Sequence, residues 1–447
     1  MNTQILPRRA DILDENLLED IKGRILARGA SEAVVSASRS RSFGASVRNG
    51  EFQDVGHDEG EDMTLKAFVG KRSASVSSND LSARSIETLV DRVVSMAELA
   101  SEDPFAGLPP TELLLPDTDD AVLDKVDPRE PTLAELEAAA FELERCTMAV
   151  PGAADSQGAN AGWRTGESRL VASNGLSLRS RGTKWNTGVG LIAGKGDVRE
   201  VGGFGHVARW HEDLLPLEEI GRRAGESAVE KLGSRKIDSC VAPVIFDRQV
   251  SFTIIGSFLK AISGGSIYYK QTFLEDPVGK ALFPENFSLI ENPMIPRSIG
   301  SRVVDNDGMK PFAGAIVDRG VVRTQLIGYY DGKKLDRPST GHSGGTSVLT
   351  VPAGELDRAA MMREAGRGLI VKGIMGSSGN AYTGDFSMGV SGLWFEGGEI
   401  AYPVSEITIA GNFKELFGDL VVGSDLEYLG GSHAPSIMVR PLAIGGK

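Results

Sequence analysis

Apolar and polar positions change period several times along the chain. Over residues 14 to 28, Leu17, Leu18, Ile21 and Ile25 recur at helical spacing behind Asp14, a capping residue type, and Gly29 ends the run; a helix is expected there. EAVVSAS then alternates with the two-residue period of a strand, SFGASVRNGE carries the hairpin dipeptide Asn49-Gly50, and MTLKAFVG and RSASVSS continue the alternation. Helical spacing returns at Ile86, Leu89, Val90, Val93, Val94 and Ala97, predicting a helix capped by Asp80 and running through Ala100.

From 101 to 131 the pattern dissolves into proline and acidic residues, which reads as a surface-wrapping connector. Thr132 and Glu135 form the capping-box pattern and open a helix to about Ala149. Next come ESRLVASNGLSLRSRG, turning at Asn174-Gly175, NTGVGLIAGKG, turning at Gly194, and a helix from Pro216 to Gly233. The order copies the first hundred residues. It reads either as two similar helix, sheet and helix units, 1-100 and 132-236, or as two hairpins that both use the common Asn-Gly turn.

Beyond 236 strands dominate. APVIF precedes an amphipathic stretch, DRQVSFTIIGSFLKAISGG, and FAGAIVDRGVVRTQLIGYY reads as a strand pair turning at Asp318-Arg319-Gly320. A helix near 355 to 366 ends in glycine. GLWFEGGEIAYP forms a hairpin at Gly397-Gly398, SEITIAGN alternates after it, the short amphipathic NFKELF follows, and SIMVRPLAIGG closes the chain as a strand. The expected fold class is α+β: a region of helices on antiparallel sheet over 1-236, and a β-rich domain over 237-447.

Composition sharpens this. The 447 residues include 55 glycines, above the usual share of about 7%, which implies many turns and bulges. The net charge of −13, with 61 acidic against 48 basic residues, disfavours a general nucleic-acid binder. No apolar run approaches the roughly 20 residues of a membrane helix. The first residues, MNTQILPRRADILDE, lack a signal-peptide pattern, and Cys146 and Cys240 sit in no metal or redox motif, so a cytoplasmic location is expected.

Candidate chemistry is sparse. Gly341 to Gly345 matches G-x-S-x-G with Ser343 as nucleophile, but that motif needs a strained strand-to-helix turn. Here polar DGKKLDRPST precedes it and extended TSVLTVP follows, so the context fails. A glycine loop with backbone groups free for a bound chain and His342 hydrogen-bonding locally is expected instead; an ordinary glycine-rich turn is the alternative. Five histidines, His57, His206, His211, His342 and His433, form no H-E-x-x-H, and His206 and His211 read as surface residues. Asp305 to Gly308 resembles the start of a calcium loop, but its twelfth position is Ile316 where glutamate is needed, so it is a turn. No phosphate loop occurs. Asp385 and Glu406 stand inside apolar, glycine-rich strands and are expected to be buried in structural hydrogen bonds.

VIFDRQV, AISGGSIYYKQTFL, RSIGSRVVDNDGM, STGHSGG, TGDFSMGVSGLWFEGGEIAYPVSEITIAGN and VGSDLE, in this order, resemble the TldD/PmbA family, and more closely its PmbA branch, also called TldE. The resemblance spans essentially the whole chain and is strongest over 240 to 430. It implies a two-part α+β protein and metal-dependent cleavage of unstructured peptides in the cytoplasm by a TldD/TldE heterodimer, in leader-peptide trimming and antitoxin degradation. The family name "modulator of DNA gyrase" implies no DNA contact.

In the TldD branch an H-E-x-x-x-H helix and a later cysteine hold the metal, and the glutamate activates water. The equivalent helix here is IIGSFLKAISGG, where Gly256 to Ala261 offer no ligand or base, and no cysteine follows Cys240. The resemblance therefore implies a partner subunit with no catalytic and no metal-binding residue of its own, inactive alone, with the divalent metal in a TldD homologue. Its implied substrate groove comprises Gly264, Gly265, Thr340, Gly341, His342, Ser343, Gly344, Gly345 and Asp385. A TldD homologue or a second copy is the expected protein partner, and neither nucleic acid nor membrane is. The alternatives are a homodimeric peptide- or protein-binding module and a self-sufficient hydrolase using Ser343.

Overall fold

The computed structural model describes residues 11–116, 118–196 and 198–446; the start of the stretch read for a signal peptide lies outside the described residues. Helix α1 (Glu15–Ala27) starts where Asp14 accepts the Asn16 N–H (2.9 Å), and it buries Leu18, Ile21 and Ile25. Strands β1 (Glu32–Arg48), β2 (Glu51–Val69) and β3 (Arg72–Ser78) follow, then α2 (Ala83–Leu99). Ser82, not Asp80, caps α2 by accepting the Ser85 N–H (3.3 Å). Asp80 is two residues too early and instead accepts the Ser82 N–H (3.1 Å).

The connector makes only short turns before α3 (Leu133–Met148), where the Thr132–Glu135 capping box is complete. Strands β4 (Ala153–Ala172), β5 (Ser177–Ala193) and β6 (Glu200–Ala208) and helix α4 (Leu217–Val229) complete this half.

The two hairpins share a single antiparallel sheet, ordered β3-β2-β1-β4-β5-β6, with β1 and β4 as the central pair from Val34↔Ala172 to Val47↔Ala159. Alternation sends Ala33, Val35 and Ala37 under α1 and α2, and Ala45 and Val47 under α3 and α4. The opposite face of β1 carries Ser36, Ser38, Ser40, Ser42 and Ser46. Strand β2 is far longer than its alternating segment. Residues 51–60 are exposed throughout and have no apolar period, yet they are held extended by pairing with β1.

The second half begins with β7 (Cys240–Phe246), α5 (Phe252–Ala261) and α6 (Gly264–Tyr268). A small sheet, β10-β9-β8-β11, is built from β8 (Leu289–Asn292), β9 (Gly314–Asp318), β10 (Val321–Val322) and β11 (Val348–Thr350). GYY is not strand as expected but opens α7 (Tyr329–Leu335), whose lysines at its C-terminal end favour the helix dipole.

After α8 (Arg358–Ala365) come β12 (Arg367–Gly379), β13 (Asp385–Glu396) and β14 (Glu399–Asn412), then α9 (Phe413–Gly418), β15 (Leu420–Val422) and β16 (Ile437–Gly445). Gly397 (φ 60°) and Gly398 (φ 83°) supply the left-handed pair of the β13–β14 turn. Strands β14-β13-β12-β7-β16 close into a barrel through β14–β16 pairing, and α5 plugs its apolar side with Ile254, Ile255 and Phe258.

The expected surface position of His206 is corrected. It is buried on β6, with Nδ1 accepting the Leu215 N–H (3.0 Å), because the segment after β6 folds back over it. Burial holds His206 and His433 below the ordinary histidine value of 6.5. The unfolded chain therefore takes up protons that the native rings resist. Stability from these two sites is present above about pH 6.5 and is lost as pH falls below it. Urea unfolding should give a free energy that is level near neutrality and declines through this window; a curve still flat at about pH 5.5 would contradict it.

Candidate functional site

Parallel pairing of β7 with β12 covers only Leu369–Val371. On its other edge β12 stays paired with β13, with register shifts at Val371/Gly373 and Ile374/Gly376, and no described strand pairs with residues 372–379 of β12 on the β7 side. The free edge faces α5. Thr253, Ser257 and Lys260 recur three to four residues apart on the helix side opposite Ile254, Ile255 and Phe258, and with Ser377, Ser378 and Gly379 they wall a cleft of about 230 Å³. Phe273, Phe386, Met388 and Phe413 give it an apolar lining.

Asp385 alone among the nine expected groove residues borders this cleft. It is exposed, not buried, and accepts hydrogen bonds from Thr383 Oγ1 (2.6 Å) and Asn412 Nδ2 (2.8 Å), which hold its carboxyl below the usual range. Glu406 is also exposed, against expectation. A break in the β13–β14 register turns it outward at φ 52°, where Lys236 pairs with it at 3.0 Å.

The remaining groove candidates gather elsewhere, around Leu326 and Ile327. Gly264 donates its N–H to Leu326 O (2.8 Å), Gly265 lies next to it in α6, and Thr340 donates its N–H to Ile327 O (2.8 Å). Much of the loop backbone is hydrogen-bonded within the protein. Ser343 N–H goes to Asp305 Oδ2 (3.3 Å), Ser343 O accepts from Asn306 N–H (3.1 Å) and Arg302 Nη1 (3.1 Å), and Gly345 N–H goes to His342 O (2.9 Å). Gly341 (φ 78°) is required by space as well as conformation, since a Cβ there would lie 2.4 Å from Lys310 O. Gly344 and Gly345 are exposed but turn in the same left-handed region.

His342 is fully buried. Its Nδ1 lies 2.7 Å from Thr340 Oγ1 and its Nε2 3.0 Å from Glu291 Oε2, so local hydrogen bonding is confirmed and neither nitrogen is left for Ser343. The elbow context fails as well, because β11 follows the loop where a helix would be needed. Asp305 forms the expected turn, with Oδ1 accepting from Asp307 and Met309 N–H (both 2.9 Å). The polar face of α5 was visible as spacing inside its amphipathic stretch; the free edge of β12 had no sequence signal.

Three family models cover most of the chain: PmbA/TldA metallopeptidase domain 1 over 33–97, the central domain over 119–232 and the C-terminal domain over 239–446. Metalloprotease PmbA of Escherichia coli O157:H7 is 32% identical over 425 residues, 94% of each chain. The chain belongs to the PmbA/TldA metallopeptidase family. A PmbA homologue of Haemophilus influenzae is 30% identical over 94% of each chain. The fold matches a solved Bacteroides thetaiotaomicron protein described as a modulator of DNA gyrase, at TM-score 0.91 and 22% identity over 98% of this chain and 100% of that one. It also matches TldE from Thermococcus kodakarensis, at 0.81 and 21% over 97% and 99%.

Metallopeptidase kinship implies a divalent metal in the family. Among the described residues one group of three metal-ligating types converges, Glu142, Cys146 and Glu218, on α3 and α4 of the first half. It does not fit a catalytic ion. Arg145 already pairs with Glu142 (2.8 Å), and burial pushes the Cys146 thiol up, away from the thiolate a metal needs. The cleft face of α5 offers two hydroxyls, an ammonium and a methyl group, none of them a strong ligand for a divalent cation. No described helix is long and apolar enough to cross a membrane.

Proposed function

We propose that this chain is the PmbA/TldE-type subunit of a cytoplasmic TldD/TldE metallopeptidase. It holds an unstructured peptide, and a TldD-type partner carries the metal and the base. The carrying observation is the open edge of β12 beside the ligand-free face of α5. An unpaired edge presents main-chain donors and acceptors at fixed spacing, so an extended peptide of almost any sequence gains hydrogen bonds by joining as a strand. Leader peptides and labile antitoxins are substrates of this physical kind, because neither has a fold to protect its backbone.

The test is cleavage of an unstructured peptide by the purified chain alone and mixed with its TldD homologue, with and without a chelator. Cleavage only in the mixture, abolished by the chelator, is the expected outcome. Chelator-sensitive cleavage by this chain alone would overturn the reading.

A further inference from the structure

The serine-rich face of the six-stranded sheet carries an unusual cross-strand pair. Register places Arg164 of β4 directly opposite Lys184 of β5. Like charges in directly opposed positions repel. Both side chains are exposed, and neither forms an ion pair among the described residues. On the other side of Arg164 stands Ser42 of β1, and the carboxylate of that row, Asp58, lies one strand further away on β2. Arg164 Nη2 donates to Ser40 Oγ (3.2 Å).

A third cation joins them. Arg209, just beyond β6, lies over Gly182, where a Cβ would come within 2.5 Å of its Nη1. Its Nη1 and Nη2 donate to the carbonyls of Thr183 (3.3 Å) and Ile299 (3.2 Å), while its buried Nε has no partner. Burial makes this charge costly, and Asp120, the acid that partly offsets the cost, is already paired with Lys125. Glu167 borders the same pocket, but its carboxylate is taken by Arg179 (2.7 Å) and Arg181 (3.0 Å). The pocket encloses about 410 Å³; Ser40 and Ser168 add hydroxyl donors, whereas Ser38 and Ser180 already donate to Asp62 and Asp120 (3.1 Å for Ser180).

We propose that this pocket is a binding site for an oxyanion, phosphate or carboxylate. An anion between Arg164 and Lys184 turns their repulsion into two charge-assisted contacts, and Arg209 and the hydroxyls of Ser40 and Ser168 supply further donors. Small glycines and serines leave the room above the strands that such a group needs. The site stands apart from the β12 cleft and does not depend on the peptidase reading.

The experiment is thermal unfolding of the full chain at constant ionic strength, with inorganic phosphate exchanged for chloride, and in parallel with a short Glu-Glu peptide against its Gln-Gln counterpart. Phosphate is expected to raise the midpoint, and Lys184→Gln and Arg164→Gln each to weaken the apparent affinity about tenfold. In chloride alone Lys184→Gln should raise the midpoint, since it removes the repulsion; this checks the premise without any ligand. A response to phosphate alone identifies a free anion, and a response to the Glu-Glu peptide alone identifies acidic side chains; both support the site. No response to either, a response retained in both variants, or a Lys184→Gln midpoint at or below that of the unaltered chain overturns it.

Discussion

Glu291→Ala is expected to cost about 3 to 5 kcal/mol of folding free energy, the range for breaking a buried pair by removing one partner. Glu291 Oε1 accepts the Ser347 N–H at 2.6 Å and Oε2 meets His342 Nε2 at 3.0 Å, with both side chains wholly shielded from solvent. Alanine leaves an imidazole and a backbone amide unpaired in the interior, and each forfeits its hydration without return. Glu291→Gln keeps an acceptor in place and should cost less. Denaturant unfolding of the two variants measures the difference. A loss under about 1 kcal/mol for alanine would show that water reaches this loop, and would restore residues 340–345 as a surface open to ligand.

Ser257→Trp should weaken binding of an unstructured peptide at least about tenfold, near 1.4 kcal/mol, while leaving the unfolding midpoint unchanged. Ser257 lies on the cleft face of α5, and its Oγ–H is spent on Thr253 O (3.1 Å), so no core contact is lost. An indole there would fill much of the roughly 230 Å³ between the helix and the β12 edge. Fluorescence anisotropy of a labelled peptide, with this chain alone and with its partner, reads the effect. Ser343→Ala is the control and should bind as the unaltered chain does, because Ser343 belongs to the hydrogen-bonded loop outside the cleft. Unchanged binding by the tryptophan variant would place the peptide elsewhere.

Features that depend on a few neighbouring residues could be read directly from the chain. Asp14 capping α1, the Thr132–Glu135 box and the Gly397-Gly398 turn all appear where local chemistry puts them. So does the packed face of α2, since periodicity alone tells which side of a helix is apolar. The ordered motifs between 240 and 430 also pointed to the family that the comparisons established.

About what lies across from a residue in space, the chain was silent or misleading. Residues 51–60 form strand only because β1 pairs with them, and Tyr329 and Tyr330, aromatic and strand-like in composition, were drawn into α7. Asp385 and Glu406 sit among apolar neighbours in sequence, but strand alternation and a register break turn both to solvent. The glycine loop looked open because glycine exposes its backbone; Asp305 and Arg302 bind the backbone of Ser343, and Glu291 holds the His342 ring, all from positions distant in sequence.

The sequence by itself determined the kinds of elements, their caps and turns, the α+β class and the family, because these follow from interactions within a turn or two of chain or from long ordered motifs. Only the tertiary structure decided which surface is open. The β12 edge is free because β7 stops pairing after three residues, and Arg164 faces Lys184 because two strands align in one register. Such juxtapositions are set by sheet pairing between distant segments, which no local pattern of residues encodes.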